Sequence, residues 1–205
     1  MSESSPLIHV VDDDPSFLTA VSRLLRAAGF AVKKYGSTTE FLSGRPVGPP
    51  GCVVADLRMP EQNGLELQAA LAASSDPLPV VFLSAYGDVP STVRAMKAGA
   101  EDFLTKQAPK EELLAAVRRA LDRNVYERRE RERKHELQSR LSRLTQRERQ
   151  VLALVVDGKP NKQIAALLGI HERTVKLHRT SITTKLGVHS VAELTRLAQD
   201  AGILP

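Results

Sequence analysis

The chain has 205 residues, 42% hydrophobic and 26% charged, which suits one large or two small folded domains and argues against a disordered chain. Its single cysteine excludes an intrachain disulfide framework and points to a reducing cytoplasm. The lack of an 18-residue apolar run or a basic-start leader argues against membrane and secreted classes. Charge is uneven: residues 1–121 hold 12 Lys+Arg against 14 Asp+Glu, whereas residues 122–205 hold 17 against 10, so the second half is the one suited to a polyanion.

The first part alternates strand and helix. Residues 7–11, LIHVV, have the length and apolarity of a buried strand. A helix follows, with Asp14 as cap, Pro15 at its first position and Gly29 at its end. Strands are expected at 30–35, 52–56, 79–84 and 102–105, and helices near 38–42, at 64–73, in PSTVRAMKAGA ending at Gly99, and at 110–121. Five βα units with apolar strands argue for a parallel sheet covered on both faces. The expected fold class is α/β plus all-α, beginning with a flavodoxin-like (βα)5 domain of strand order 2-1-3-4-5.

Residues 122–143 are dominated by Arg, Glu and Lys, without Gly or Pro, and read as a helical linker that extends the fifth helix. Leu137, Leu141 and Leu144 form a thin apolar stripe near its end. The last stretch, 144–205, contains four short helices. Thr145 and Glu148 form a capping box for the first, which stops at Gly158; Asn161 is positioned to cap the second, stopped at Gly169. A tight turn then leads into a third helix stopped at Gly187, and Ser190 with Glu193 starts the last. Two helices joined by a short glycine-containing turn are a helix-turn-helix signature.

Chemistry in a doubly wound sheet gathers at the carboxyl ends of the strands. There the sequence delivers Asp12 and Asp13, then Asp56, Ser84 and Lys106. Converging carboxylates repel, and a hard divalent cation such as Mg²⁺ resolves that repulsion while accepting phosphate oxygens as further ligands. Asp56 can then act as a nucleophile that forms an acyl phosphate, with Lys106 pairing with the phosphoryl oxygens and Ser84 donating a hydrogen bond. No one of these residues is specific; their joint placement on four strand ends is.

The motifs VVDDD, VVADLRMPEQNG, VVFLSAYGD and GAEDFLTK resemble, in order and spacing, the receiver domain of two-component response regulators, and RAMKAGAEDF is similar to its FixJ-like branch. The resemblance implies a receiver over 1–121 in which a sensor histidine kinase phosphorylates Asp56. It also implies that Asp12, Asp13, Asp56 and the backbone carbonyl of Arg58 hold Mg²⁺. Ser84 becomes the switch hydroxyl, Phe103 the switch aromatic and Lys106 the phosphate partner. One position departs from the pattern. Receivers usually carry proline after the lysine, often behind a cis bond, whereas here Gln107 follows and a trans bond is expected.

LTQRE, NKQIA, TVKLHR and KLG within 144–194 resemble the LuxR-type DNA-binding domain. Together the two resemblances describe a NarL/FixJ-type transcription regulator that is not an enzyme. On the third helix of this domain, Val175, Ile182 and Leu186 should pack inward. Lys176, Leu177 and Thr180 share another face, suited to base edges in the major groove of double-stranded DNA. Thr174, Arg179 and Lys185 suit phosphates, and Lys162 and Gln163 can reach the backbone. His171 stands where the family usually has a capping Ser, and it is a poorer cap. The resemblance further implies dimerisation on activation through the surface of the fourth helix, fifth strand and fifth helix, and contact with RNA polymerase, with activation favoured over repression. Two other readings remain at this stage. One is an aspartyl-phosphate phosphohydrolase, although no second general-acid carboxylate follows Asp56 at close spacing. The other is a DNA-binding regulator whose receiver works without phosphorylation.

Overall fold

The computed structural model describes residues 5–200 except Val47, Glu61, Tyr86 and Gly87, and describes only the backbone of Val191 and Asp200. The motif residues Glu61, Tyr86 and Gly87, and the chain after Asp200, therefore lie outside the described residues. The chain forms two compact units, Met1–Arg128 and Arg129–Pro205.

The first unit is built on five parallel strands: β1 (Leu7–Val11), β2 (Ala31–Tyr35), β3 (Gly51–Asp56), β4 (Val80–Ser84) and β5 (Asp102–Thr105). Their order is β2-β1-β3-β4-β5, the expected flavodoxin-like arrangement. Helices α1 (Pro15–Ala27), α2 (Thr38–Gly44), α3 (Gly64–Ala72), α4 (Val89–Lys97) and α5 (Lys110–Ser142) connect the strands or follow the last. The period of two along each strand sorts side chains between two cores. Ile8, Val10, Cys52, Val54, Val81 and Leu83 face α1 and α5 through Leu25 and Val117. Val11, Val53, Ala55, Val80 and Phe82 face α2, α3 and α4 through Phe41, Leu67 and Ala95. The three inner strands are buried, β1 apart from half-buried Leu7. The edge strands are not: β2 exposes Lys33 and Lys34, and Asp102, Phe103 and Leu104 of β5 are half-buried. An edge strand borders only one neighbour, so its polar residues reach water.

Asp14 caps α1 through its side chain and Pro15 opens the helix, as the sequence suggests. The helix stops at Gly29, Gly99, Gly158, Gly169 and Gly187 all have positive φ. The linker is continuous with the fifth helix: α5 runs unbroken from Lys110 to Ser142. Its Asn124 is fully buried, accepting from the Gly51 N–H at 3.0 Å, and Arg128 pairs with Asp76 at 2.9 Å. These bonds explain why the first compact unit continues past residue 121.

The second unit holds α6 (Gln146–Val156), α7 (Asn161–Leu168), α8 (Glu172–Leu186) and α9 (Val191–Asp200) around Leu144, Leu152, Ile164, Val175, Ile182 and Leu186. The Thr145–Glu148 capping box forms as expected. The cap of α7 does not. Pro160, with φ −69° and ψ 155°, holds the cap position without a side-chain bond, and Asn161 is the first helical residue. The Asn161 amide oxygen accepts instead from Arg179 at 2.9 Å. At α9 the Glu193 N–H donates to Ser190, while the Glu193 carboxylate reaches one residue further back, to the His189 N–H. His171 caps α8 without a side-chain bond.

One glycine sets how closely α3 approaches the strand ends. A Cβ on Gly64 would sit 2.6 Å from the Asp56 carbonyl oxygen and 2.7 Å from Phe82 Cε1, too close for either to remain in place. Gly64→Ala should therefore cost about 1–3 kcal/mol of the first unit's stability, as overpacking does. Urea denaturation of the two proteins checks this, and equal midpoints and slopes would contradict it.

Candidate functional site

Four strand ends converge at one edge of the sheet. Asp12 follows β1, with its N–H on the Tyr35 carbonyl, while Asp56 and Ser84 end β3 and β4. Lys106 follows β5 and donates its N–H to the Ser84 carbonyl at 2.8 Å. The Lys106 ammonium lies 2.7 Å from Asp12 Oδ2 and 2.7 Å from Asp56 Oδ2. The other oxygen of each acid accepts a backbone N–H two residues on, from Asp14 at 2.9 Å and from Arg58 at 3.1 Å. Both carboxylates thus sit in a closed set of donors, with Asp12 only 2% and Asp56 7% exposed.

Asp13 is exposed, yet one oxygen from each of Asp12, Asp13 and Asp56 lies within 4.8 Å of the others. Among the described residues this is the one such cluster of metal-binding groups. An all-oxygen set of three acids suits a hard divalent cation and not a soft one. Among the described residues no such cluster includes His178 of α8, the third helix of the second unit, which could otherwise offer a metal ligand.

The electrostatics follow from depth. Burial raises the Asp12 carboxyl above its ordinary value, against the opposing pull of Lys106 and the Asp14 N–H. For Lys106 burial alone would lower the value, but the bonds to Asp12 and Asp56 outweigh it and the ammonium is held more firmly protonated than usual. Cys52 is inert here: burial, with Glu101 adding to it, pushes its thiol up to about 12.

Around the pocket, Ser84 is buried at the end of β4. Phe103 is already half-buried, tilted against Phe82 at 6.1 Å between ring centroids. The Arg58 side chain leaves the pocket and pairs with Asp88, the cap of α4, at 3.1 Å. Gln107 is exposed and no cis peptide bond occurs among the described residues, so the Lys106–Gln107 bond is trans as expected. One neighbour was not legible: Phe17, whose ring centroid lies 4.3 Å from the Lys106 ammonium.

In the second unit, Val175, Ile182 and Leu186 pack inward as expected. Lys176 and Leu177 project outward, 67% and 65% exposed, with Thr180 exposed one turn on. Lys162 and Gln163 are exposed on α7, and Thr174 and Arg179 are half-buried. Lys185 differs from the expectation of a side chain given to phosphate. Its ammonium donates to both oxygens of buried Glu148, at 2.9 and 2.7 Å, and Ser181 donates to the same carboxylate at 2.6 Å. In the sequence Glu148 is legible only as a capping-box residue, because its partners on α8 lie 33 and 37 residues away.

Residues 8–118 match the response regulator receiver domain, and residues 142–198 match the luxR family of bacterial regulatory proteins. The transcriptional regulatory protein FixJ of Azorhizobium caulinodans is 42% identical over 100% of this chain and 97% of its own length. The chain belongs to the FixJ-like response regulators.

The response regulator protein TmoT of Ectopseudomonas mendocina is 41% identical over 97% of this regulator and 90% of its own length. A low-resolution structure of the response regulator StyR shares 47% identity with a TM-score of 0.86, covering 96% of this chain and 99% of that one. Full-length FixJ from B. japonicum gives 36% and 0.58 over 98% of both chains. The regulator is thus a two-component transcription factor, of a family that binds DNA and is not typically enzymatic. Its receiver implies a histidine kinase partner. Receiver domains generally bind Mg²⁺ at an acidic pocket, and this regulator has the corresponding Asp cluster. Among the described residues no helix is long and apolar enough to cross a membrane.

The Glu148 contacts give a pH prediction. Lys185 foremost, then Ser181, hold the Glu148 carboxyl down at about 2, below its usual 4.5. A depressed carboxyl stabilises the folded state fully above the unfolded value, and that stability is lost as pH falls through the folded one. The second unit should therefore lose stability between about pH 4.5 and 2, and Glu148→Gln should flatten that part of the profile. Thermal melts across this range check it; parallel profiles for the two proteins would contradict it.

Proposed function

We propose that Asp56 is the phosphoacceptor of this regulator and that its phosphorylation controls dimerisation and DNA binding in the cytoplasm. The observation that carries the reading is the Lys106 ammonium, bridging Asp12 and Asp56 beside Asp13 at the strand ends. A carboxylate oxygen of Asp56 forms the new bond to phosphorus as the P–N bond to the kinase histidine breaks, and the leaving imidazole keeps the electron pair. Asp12, Asp13, Asp56 and the Arg58 carbonyl would hold Mg²⁺, which supplies charge to offset the incoming phosphoryl oxygens. Lys106 turns from Asp56 to a phosphoryl oxygen, and Ser84 donates to another.

The movement of Ser84, with Phe103 turning further inward, alters the surface of α4, β5 and α5. Val89, Val93 and Met96 already expose apolar surface on α4, at 74%, 43% and 43%, which supports that face as the dimer contact. Moving such an equilibrium from 1:99 to 99:1 needs roughly 5.5 kcal/mol, within reach of new phosphate contacts plus an interface. The paired α8 helices then read the operator and present the regulator to RNA polymerase, in the direction of activation. Lys176, Leu177 and Thr180 face the bases. Thr174, Lys162, Gln163 and the outer N–H groups of Arg179 face phosphates, while Lys185 serves chiefly as the partner of Glu148.

Incubation with acetyl phosphate and Mg²⁺, followed by mass-spectrometric mapping, should place the label on Asp56 and leave Asp56→Asn unlabelled. Equal labelling of the variant would sink the assignment. On DNA, Lys176→Ala should cost roughly 1–3 kcal/mol and relax one operator position. An unchanged sequence preference in a binding-site selection would mean that α8 is turned differently in the groove.

A further inference from the structure

We propose that Phe17 is a positioning residue for Lys106, its ring keeping the ammonium over the acidic pocket once the carboxylates share their charge with a cation and a phosphoryl group. The inference rests on the proposed phosphoacceptor reading.

The Lys106 ammonium lies over the Phe17 ring, 4.3 Å from its centroid, inside the roughly 6 Å reach of a cation–π contact. The lysine side chain is only 16% exposed, so water weakens the contact little. The backbone that carries the ring is tied to the acidic side. The Asp14 carboxylate accepts from the Ser16 and Phe17 N–H groups at 2.8 and 3.3 Å, and the Asp14 N–H donates to Asp12 Oδ1 at 2.9 Å. One stretch of six residues thus carries a pocket acid, a helix cap and the ring that faces the lysine. From its own side Lys106 is guided less. Gln107 after it is exposed and lacks a proline ring, and the following turn is held by one backbone bond, Ala108 N–H to the Thr105 carbonyl at 3.0 Å.

In the resting pocket Asp12 and Asp56 both hold the ammonium, and the ring adds little. Phosphorylation removes that arrangement: one Asp56 oxygen becomes bonded to phosphorus, and the lysine must re-aim on a flexible four-carbon stem. The ring is then the neighbour of Lys106 whose attraction does not change with the charge state of the pocket. A purely packing role for Phe17, which also touches the first core cluster, needs apolar volume but no ring face.

Proton NMR of the whole protein separates these roles. The Lys106 ε-methylene protons should be shifted upfield by the ring in the resting protein and should stay shifted with Mg²⁺ and beryllofluoride. The shift should vanish in Phe17→Leu and persist in Phe17→Tyr. With acetyl phosphate and Mg²⁺, an Asp56 oxygen bonds to phosphorus as the P–O bond to acetate breaks and acetate leaves with the electron pair. That labelling should slow about five- to thirtyfold in Phe17→Leu and recover in Phe17→Tyr. Unshifted ε protons in the loaded wild type, or wild-type labelling of folded Phe17→Leu, would overturn the inference alone. If Phe17→Leu does not fold, the loaded wild-type spectrum still decides. A wild type that takes no label at Asp56 overturns the phosphoacceptor reading and this inference with it.

Discussion

Two buried carboxylates and one ammonium, all within 2.7 Å contacts, are the constraint around which the receiver is arranged. Two acids taken out of water at this spacing are unfavourable unless a positive charge and further donors accompany them. Each strand end therefore supplies a part. β1 and β3 bring the acids, the turns after them bring the Asp14 and Arg58 N–H groups, and β5 delivers the lysine. The apolar inner strands fix those ends because their side chains alternate between two packed cores and cannot slip in register. Seen this way, the sheet order matters to function: β1 lies between β2 and β3, so Asp12 and Asp56 leave neighbouring strands.

A second charge centre organises the other unit. Glu148 begins as the capping-box partner of Thr145 at the start of α6, but its carboxylate also gathers Ser181 and Lys185 from α8. That cluster ties the first helix of the domain to the outward-facing one, so that Lys176 and Leu177 are carried on a helix pinned from behind. Arg179, bonded to Asn161 of α7, fixes the same helix from its other neighbour. Residues that look like free cations in the sequence thus divide into those that hold α8 and those that α8 presents.

Local patterns made most of the fold legible. The strand runs, the Asp14 and Thr145 caps and the glycine stops act within a few residues, and each appears within one residue of where the pattern puts it. The acidic pocket was legible because strand ends in a doubly wound sheet must meet. What escaped depends on contacts distant in sequence. Phe17 under Lys106 gives no local signal, since a phenylalanine in the first turn of a helix reads as core. Lys185 on Glu148 escaped for the same reason, a lysine late in a basic helix being ordinarily free. Asn161 misled because proline at 160 already supplies the cap geometry, leaving the amide for Arg179. Asn124 and Arg128 sit in a highly charged stretch, where a buried asparagine is unexpected.

On the proposed reading Lys106 is the resting counterion of a pocket that takes a divalent cation, so the ammonium and the metal would compete for the same two carboxylates. Titrating Mg²⁺ into the wild type and Lys106→Met by calorimetry, at one pH and ionic strength, tests this most directly. Tighter Mg²⁺ binding by Lys106→Met is the predicted result. Equal or weaker binding by a folded Lys106→Met would show that the two acids are not held for a cation by this lysine, and would contradict the account.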